Sequence, residues 1–171
     1  MKKKVVRKQN NSSRCFVCGV TNDASLGTEF YELEDGTLAA TAVARSFHQS
    51  YPGRVHGGVS SALLDETIGR AINITEPDAW GVTVEIITRY KKPVPYDVPL
   101  LIIGKITENK RRLFSGEGRL ILPDGTVAVT ATARYMKMKL SDISAFDGDA
   151  DVWALFPRDG DPVALEVPDE V

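Results

Sequence analysis

Apolar and polar positions along the chain fall into blocks of different period. Residues 28–44 hold two short apolar runs that meet at Asp35-Gly36, a dipeptide suited to the positive φ of a tight hairpin. Residues 45–55, with Pro52-Gly53, break the pattern and read as a loop. From Gly57 to Thr75 the spacing turns helical: Leu63, Leu64, Ile68, Ala71 and Ile72 make a helix apolar over most of its circumference, and Pro77 stops it. Four further runs, 81–92, 100–108, 113–122 and 126–139, read as strands joined by short turns, one of them at Asp124-Gly125. In the first of these, Val82, Val84 and Ile86 alternate with Thr83 and Glu85, the period of a half-buried strand. The predicted order is β-β-α-β-β-β-β. One helix among six antiparallel strands can bury its apolar sides only if the sheet curls around it, so the expected class is α+β, an antiparallel sheet wrapped around one central helix.

Length and charge divide the chain further. At 171 residues and 43% hydrophobic content it is large enough for a core of its own and needs no second domain. Residues 1–14 carry six Lys/Arg and no acid, residues 15–139 carry fourteen of each sign, and residues 140–171 carry one Arg against nine acids. The basic head, MKKKVVRKQNNSSR, has two adjacent valines and no aromatic residue, which predicts a mobile, solvated arm rather than an element that binds nucleic acid or a membrane. The acidic tail holds Trp153, Leu155 and Phe156, enough to dock in part on a domain spanning residues 15–139 but too few for a core. The head has no apolar core of a signal peptide, and no run approaches the ~18 apolar residues of a membrane span. A cytoplasmic protein is expected, with no nucleic-acid or membrane partner.

Cys15 and Cys18 form a lone CxxC. A closed zinc site would then need ligands from another chain, and a redox CxxC belongs between a strand and a helix, so packing or turn-forming cysteines are expected and no metal. Two thiols make no disulfide framework, which suits a reducing compartment.

Chemistry is concentrated between Val55 and Gly69, VHGGVSSALLDETIG. Asp65 and Glu66 are neighbours about 100° apart on a helix, so they face different surroundings. Glu66 has Arg70 four residues on, the favourable order for an ion pair, and reads as structural. Asp65 has Ser61, Ala62, Ile68 and Gly69 around it and no cation on its own helix. An unpaired carboxylate is costly to bury, so Asp65 must reach water, another chain or a ligand, and its small neighbours leave room for a substrate. His56-Gly57-Gly58 leads into the helix where backbone N–H groups lack partners and the dipole's positive end lies. A glycine there lets a carbonyl oxygen approach, as in an oxyanion hole; the plain alternative is a tight turn. His56 reads as a residue that orients this loop rather than as an acid or base.

Eight residues of helix place Gly57 and Asp65 about 12 Å apart, too far for one carbonyl to touch both. If both act on one substrate, the Gly57 of one subunit faces the Asp65 of another. The active form is then at least a dimer with interfacial sites, and a dimer of dimers remains open.

Four segments, C-F-V-C-G at Cys15–Gly19, H-Q-S-Y-P-G-R-V-H-G-G at His48–Gly58, L-L-D-E at Leu63–Glu66 and R-Y-K-K-P-V-P at Arg89–Pro95, resemble hotdog-fold acyl-CoA thioesterases of the PaaI type over about Cys15 to Lys139. The resemblance implies hydrolysis of a CoA thioester to free acid and CoA, with Asp65 as general base on water or as nucleophile, and the Gly57 N–H on the thioester oxygen. It implies no cofactor, CoA being part of the substrate. It also gives a role beside Asp65 to Thr83, in the position of a family residue that positions the water, though a plain strand threonine fits equally. The family often has Asn or Gln six residues before the motif histidine; here that position is Ser50, with Gln49 beside it. Lys110, Arg111 and Arg112 resemble a basic loop that meets the nucleotide phosphates of CoA, and Arg89, Lys91 and Lys92 are further candidates; solvated charges are the alternative.

Two other functions fit less of the sequence. A hydratase or dehydratase on the same fold would use a His and an acid from opposite subunits, here His48 and Asp65, but that class lacks the HGG segment. A non-catalytic acyl-CoA-binding protein would not need an unpaired acid at position 65, and no helix-turn-helix is visible in arm or tail.

Overall fold

The structure, a computed structural model, describes residues 1–143 and 153–169. The core of the prediction is borne out. Strands β3 (Glu29–Leu33) and β4 (Leu38–Ala42) form the hairpin, helix α1 spans Gly57–Arg70, and strands β5 (Trp80–Tyr90), β6 (Leu100–Asn109), β7 (Leu113–Ile121) and β8 (Val127–Met138) follow. A 3-10 turn at Ala71–Ile74 finishes the predicted helical stretch before Pro77. At the hairpin only Gly36 takes a positive φ, +79°, and the Gly36 N–H bonds the Leu33 carbonyl while the Leu33 N–H bonds Thr37: a three-residue loop rather than a two-residue one.

All these strands are antiparallel in one curved sheet, in the order β4-β6-β7-β8-β5 with β3 beside β4. The helix lies in its concave face, and Leu63, Leu64, Ile68 and Ile72 are fully buried against Phe30, Leu38, Ile102, Phe114 and Leu120. Close approach is made possible by missing side chains. A Cβ on Gly116 would stand 2.5 Å from Ile68 Cγ2, and one on Gly118 2.8 Å from Ile68 Cγ1, so β7 presents a glycine trough in which α1 sits.

The two ends of the chain depart from expectation. The basic head is not a mobile arm: Lys2–Lys8 is strand β1, antiparallel to β3, and Asn11–Ser12 forms a short strand β2. Two of its charges, Arg7 and Lys8, meet acids that local sequence does not show to be buried. Arg7 pairs with Glu32 at 2.5 Å, and Lys8 pairs with Glu29 at 2.8 Å, both acids lying on a strand that is buried throughout. The tail docks. Trp153–Ala154 (β9) pairs with β2, and Ala164–Glu166 (β10) pairs with β1, which makes the sheet eight-stranded. Trp153 meets Trp80 edge-on at 4.8 Å as the aromatic pattern suggested, whereas Leu155 stays half exposed. Val167 does more, closing a second apolar cluster with Leu33, Ala39, Ile103 and Ile121.

Candidate active site

Helix α1 begins where a histidine caps it. His56 is extended at φ −60° and ψ 138°, and its Nδ1 accepts the Gly58 N–H at 2.9 Å. His is an uncommon cap, but its ring nitrogen does here what a Ser or Asp oxygen usually does. The Val59 and Ser60 N–H groups turn to the His56 carbonyl at 3.0 and 3.3 Å. The Gly57 N–H has no acceptor among the described residues, and the Gly57 carbonyl accepts the Tyr90 hydroxyl at 2.8 Å. Tyr90 also meets Ser61 Oγ at 2.8 Å, and Ser61 meets Thr88 Oγ1 at 3.0 Å. One helix end therefore offers a fixed, unpaired donor. The Gly58 donor, by contrast, is committed to His56.

Two turns further on, Asp65 is half-buried and faces the sheet. Thr83 Oγ1 lies 3.0 Å from Oδ1 and 3.2 Å from Oδ2, and the Tyr135 hydroxyl lies 3.1 Å from Oδ1 and 2.9 Å from the Asp65 backbone oxygen. Thr83 is placed there by plain register: it lies opposite Tyr135 in the β5–β8 ladder and, two residues after Gly81, on the same inward face; the ladder irregularity comes only after it, before Glu85. No cation pairs with Asp65 among the described residues. Burial, opposed by the Thr83 and Tyr135 hydrogen bonds and reinforced by Glu66, holds its pKa above the ordinary carboxylate value. Tyr135 is pushed far up by its own burial and by the charge of Asp65, so it stays a donor.

These shifts make a pH prediction. Thr83→Val removes a donor that lowers the Asp65 pKa, so the acidic limb of any Asp65-dependent rate should move to higher pH. A kcat/KM profile checks it, and an unmoved limb would show that Thr83 does not tune this group.

Glu66 turns the other way, as its place on the helix requires. Its Oε1 accepts from Arg70 Nε at 2.7 Å, the expected i,i+4 pair. His48 is buried, with Nδ1 accepting the Arg45 N–H at 3.0 Å and Nε2 2.9 Å from the Ala24 carbonyl, so both nitrogens are satisfied in the Nε2–H tautomer. No free base is left on that ring for a dehydratase-type reaction.

The remaining candidates are spread out. Gln49 is exposed, in an isolated bridge to Val55, and its side-chain amide bonds nothing among the described residues. Lys110, Arg111 and Arg112 form the exposed turn before β7, with Lys110 paired to Glu108 at 2.8 Å. Register carries this turn to the Asp65 end of the sheet, because Leu113 lies opposite Met136 and Met136 opposite Val82, next to Thr83. Arg112 borders an open groove of about 890 Å³ with Glu76, Met136 and Lys137. Arg89 and Lys91 instead line a 580 Å³ hollow on the outer face of the sheet with Ile87, Lys105 and Arg119.

Sequence reasoning missed Tyr90 and Tyr135. A signal for Tyr135 was available: Ala131, Ala133 and Tyr135 share the inward face of β8, and a large residue after two small ones marks a gap to be filled, here over Gly69.

Comparisons with known proteins bear on the fold that carries these residues. Residues 52–129 match the family model described as the thioesterase superfamily. A solved thioesterase superfamily protein is 32% identical over 71% of this chain and 59% of its own, with a TM-score of 0.65, so the chain spans about three fifths of that relative. A hypothetical thioesterase protein from Streptococcus pneumoniae, solved with coenzyme A, matches at 22% identity, TM-score 0.59, over 66% of this chain and 89% of its own. The PaaI protein from the phenylacetic acid degradation operon of E. coli matches at 12%, TM-score 0.60, over 66% and 80%. At the last two identities the likeness is one of fold. No curated protein matches the chain.

Proposed function

Starting from a chain that belongs to the hotdog-fold thioesterase superfamily, we propose that it hydrolyses an acyl-CoA thioester to the free acid and CoA, with Asp65 as general base or nucleophile and the Gly57 N–H as oxyanion donor. The observation that carries the reading is Asp65 itself: a half-buried carboxylate aimed by two hydroxyls, with no cation paired to it among the described residues. A raised pKa suits a group that must take a proton from water near neutral pH. Thiolate is a good leaving group, so a site with one base and one donor is chemically sufficient. Lys110, Arg111 and Arg112 are proposed to meet the CoA phosphates, which fits their place at the Asp65 end of the sheet.

The site is proposed to be shared between two subunits of a homo-oligomer. Gly57 and Asp65 lie on one continuous helix, eight residues and so about 12 Å apart along it, too far for one carbonyl to touch both. Strand β5 supports it: this 11-residue strand ends the sheet, and Val82, Val84 and Tyr90 on it are exposed. An apolar, unpaired edge of that length is a site for a second copy.

Release of thiol from short, long and aromatic acyl-CoAs tests the activity; release from none ends the hydrolase reading. Gly57→Pro tests the donor, because proline is well tolerated at the first helical position and His56 already has the extended conformation that precedes proline. It deletes the N–H and should cost about 10²–10³ in kcat. Co-expressing Gly57→Pro with Asp65→Asn then tests sharing. A mixed dimer keeps one intact pair of Gly57 and Asp65, so about a quarter of wild-type activity should return at random assortment. No recovery would place both groups' work within one subunit.

A further inference from the structure

The CxxC turn, expected to be merely structural, converges on the helix beside the candidate active site. Cys15 Sγ, Cys18 Sγ and a Glu66 carboxylate oxygen all lie within 4.8 Å of one another. In a tetrahedral zinc site with Zn–S bonds near 2.3 Å the ligand atoms are about 3.8 Å apart, so shifts of about 1 Å would close the set.

The turn is shaped for a thiolate. The Val17 and Cys18 N–H groups both point at Cys15 Sγ, at 3.2 and 3.5 Å, and the Gly19 N–H returns to the Cys15 carbonyl at 2.8 Å. A Cβ on Gly19 would stand 2.3 Å from that carbonyl oxygen, so the turn is possible only with glycine at this place. Two backbone donors on one sulfur are wasted on a neutral thiol but stabilise a metal-bound thiolate.

Arg70 completes the surroundings. Its guanidinium lies between the rings of Phe30 at 4.2 Å and Trp153 at 4.4 Å, bonds the Asn10 carbonyl at 2.7 Å, and reaches Glu66 at 2.7 Å and Cys18 Sγ at 3.2 Å. Two thiolates and a carboxylate carry three negative charges; a divalent ion and one buried guanidinium neutralise them. Arg70 thus stands where an outer-shell donor to two ligands would stand.

We propose that Cys15, Cys18 and Glu66 form a zinc site that fastens the Cys15–Gly19 turn to helix α1, with water in the fourth position. Cys18 is fully buried, while Cys15 is half-buried and the Glu66 side chain keeps 31% of its exposure, which leaves one open side for that water. Two thiolates favour zinc over the hard divalent ions. The site is independent of the hydrolase reading, which could fail without affecting it.

Cobalt titration of the full-length protein, reduced and in its native oligomeric form, tests the proposal. The expected result is a sulfur-to-cobalt charge-transfer band with tetrahedral d–d bands, saturating near one equivalent and displaced by zinc. Cys15→Ser should lose about half of the charge-transfer intensity at saturation, one of the two thiolates being gone, and Glu66→Gln should keep it but bind on the order of 100-fold more weakly. Near-ultraviolet circular dichroism checks that each variant is folded. A reduced, folded wild-type protein that gives no charge-transfer band overturns the site whatever the variants do. Unchanged affinity in Glu66→Gln removes Glu66 from it.

Discussion

Asp65→Asn should lower kcat for acyl-CoA hydrolysis by about 10²–10⁴-fold and at the same time raise the melting temperature at neutral pH. The first effect follows because amide nitrogen and oxygen can neither take a proton from water nor attack a thioester. The second follows from the direction of the Asp65 pKa. Burial raises it, so the folded chain holds this proton more tightly than the unfolded chain does. Such a group stabilises fully below its unfolded pKa, and the contribution is lost as pH rises through the folded value. At neutral pH the ionised carboxylate is therefore a net cost, kept for its chemistry. Asn retains an oxygen for Thr83 and Tyr135 without the charge. Thiol release gives kcat, and calorimetry at neutral and at acid pH gives the melting temperatures. The stabilisation should vanish below about pH 4, where Asp65 is protonated. Full activity in the variant would remove Asp65 from the mechanism; a lower melting temperature at pH 7 would mean that its charge is compensated after all.

Lys8→Met should destabilise the protein by about 3 kcal/mol, the lower end of what breaking a buried ion pair costs, and lower the melting temperature by roughly 6–12 °C. The Lys8 side chain is 9% exposed and holds Glu29 and Asp161, each at 2.8 Å, as well as the Phe156 carbonyl at 2.8 Å. Glu29 is 5% exposed, and neither of its oxygens has a well-aligned hydrogen bond; ion pairs alone hold them. Removing Lys8 leaves that charge to Arg158 at 2.6 Å, which is why the lower end applies. Adding Glu29→Gln should return most of the loss, because the stranded charge goes with it. Chemical unfolding of the single and double variants measures both. A change within experimental error for Lys8→Met would mean that the strand contributes little, as a mobile arm would.

The strand that Lys8 ends is also where local sequence ceases to determine structure. The helix and six strands were legible because each is a local period: apolar residues three and four apart in α1, alternate ones in β5, glycine turns between. The chain's first strand was not, because K-K-K-V-V-R-K has neither period and its reason to be a strand lies in Glu29 and Glu32, more than twenty residues away. The same holds for the tail, where Val167 is buried by partners from β3, β4, β6 and β7.

The candidate site divides along the same line. Local sequence by itself determined the helix, the two acids facing different ways on it, and the eight-residue interval between Gly57 and Asp65, since rise and turn per residue are properties of any α-helix. What surrounds those groups was decided by the sheet order. Tyr135 reaches Asp65 across 70 residues, Thr83 stands beside it because β5 pairs with β8 in the register that sets Thr83 opposite Tyr135, and Glu66 meets Cys15 and Cys18 across about fifty. Contacts of that kind depend on which strand lies beside which, and no period along the chain encodes it; only burial of the whole apolar surface at once selects the arrangement.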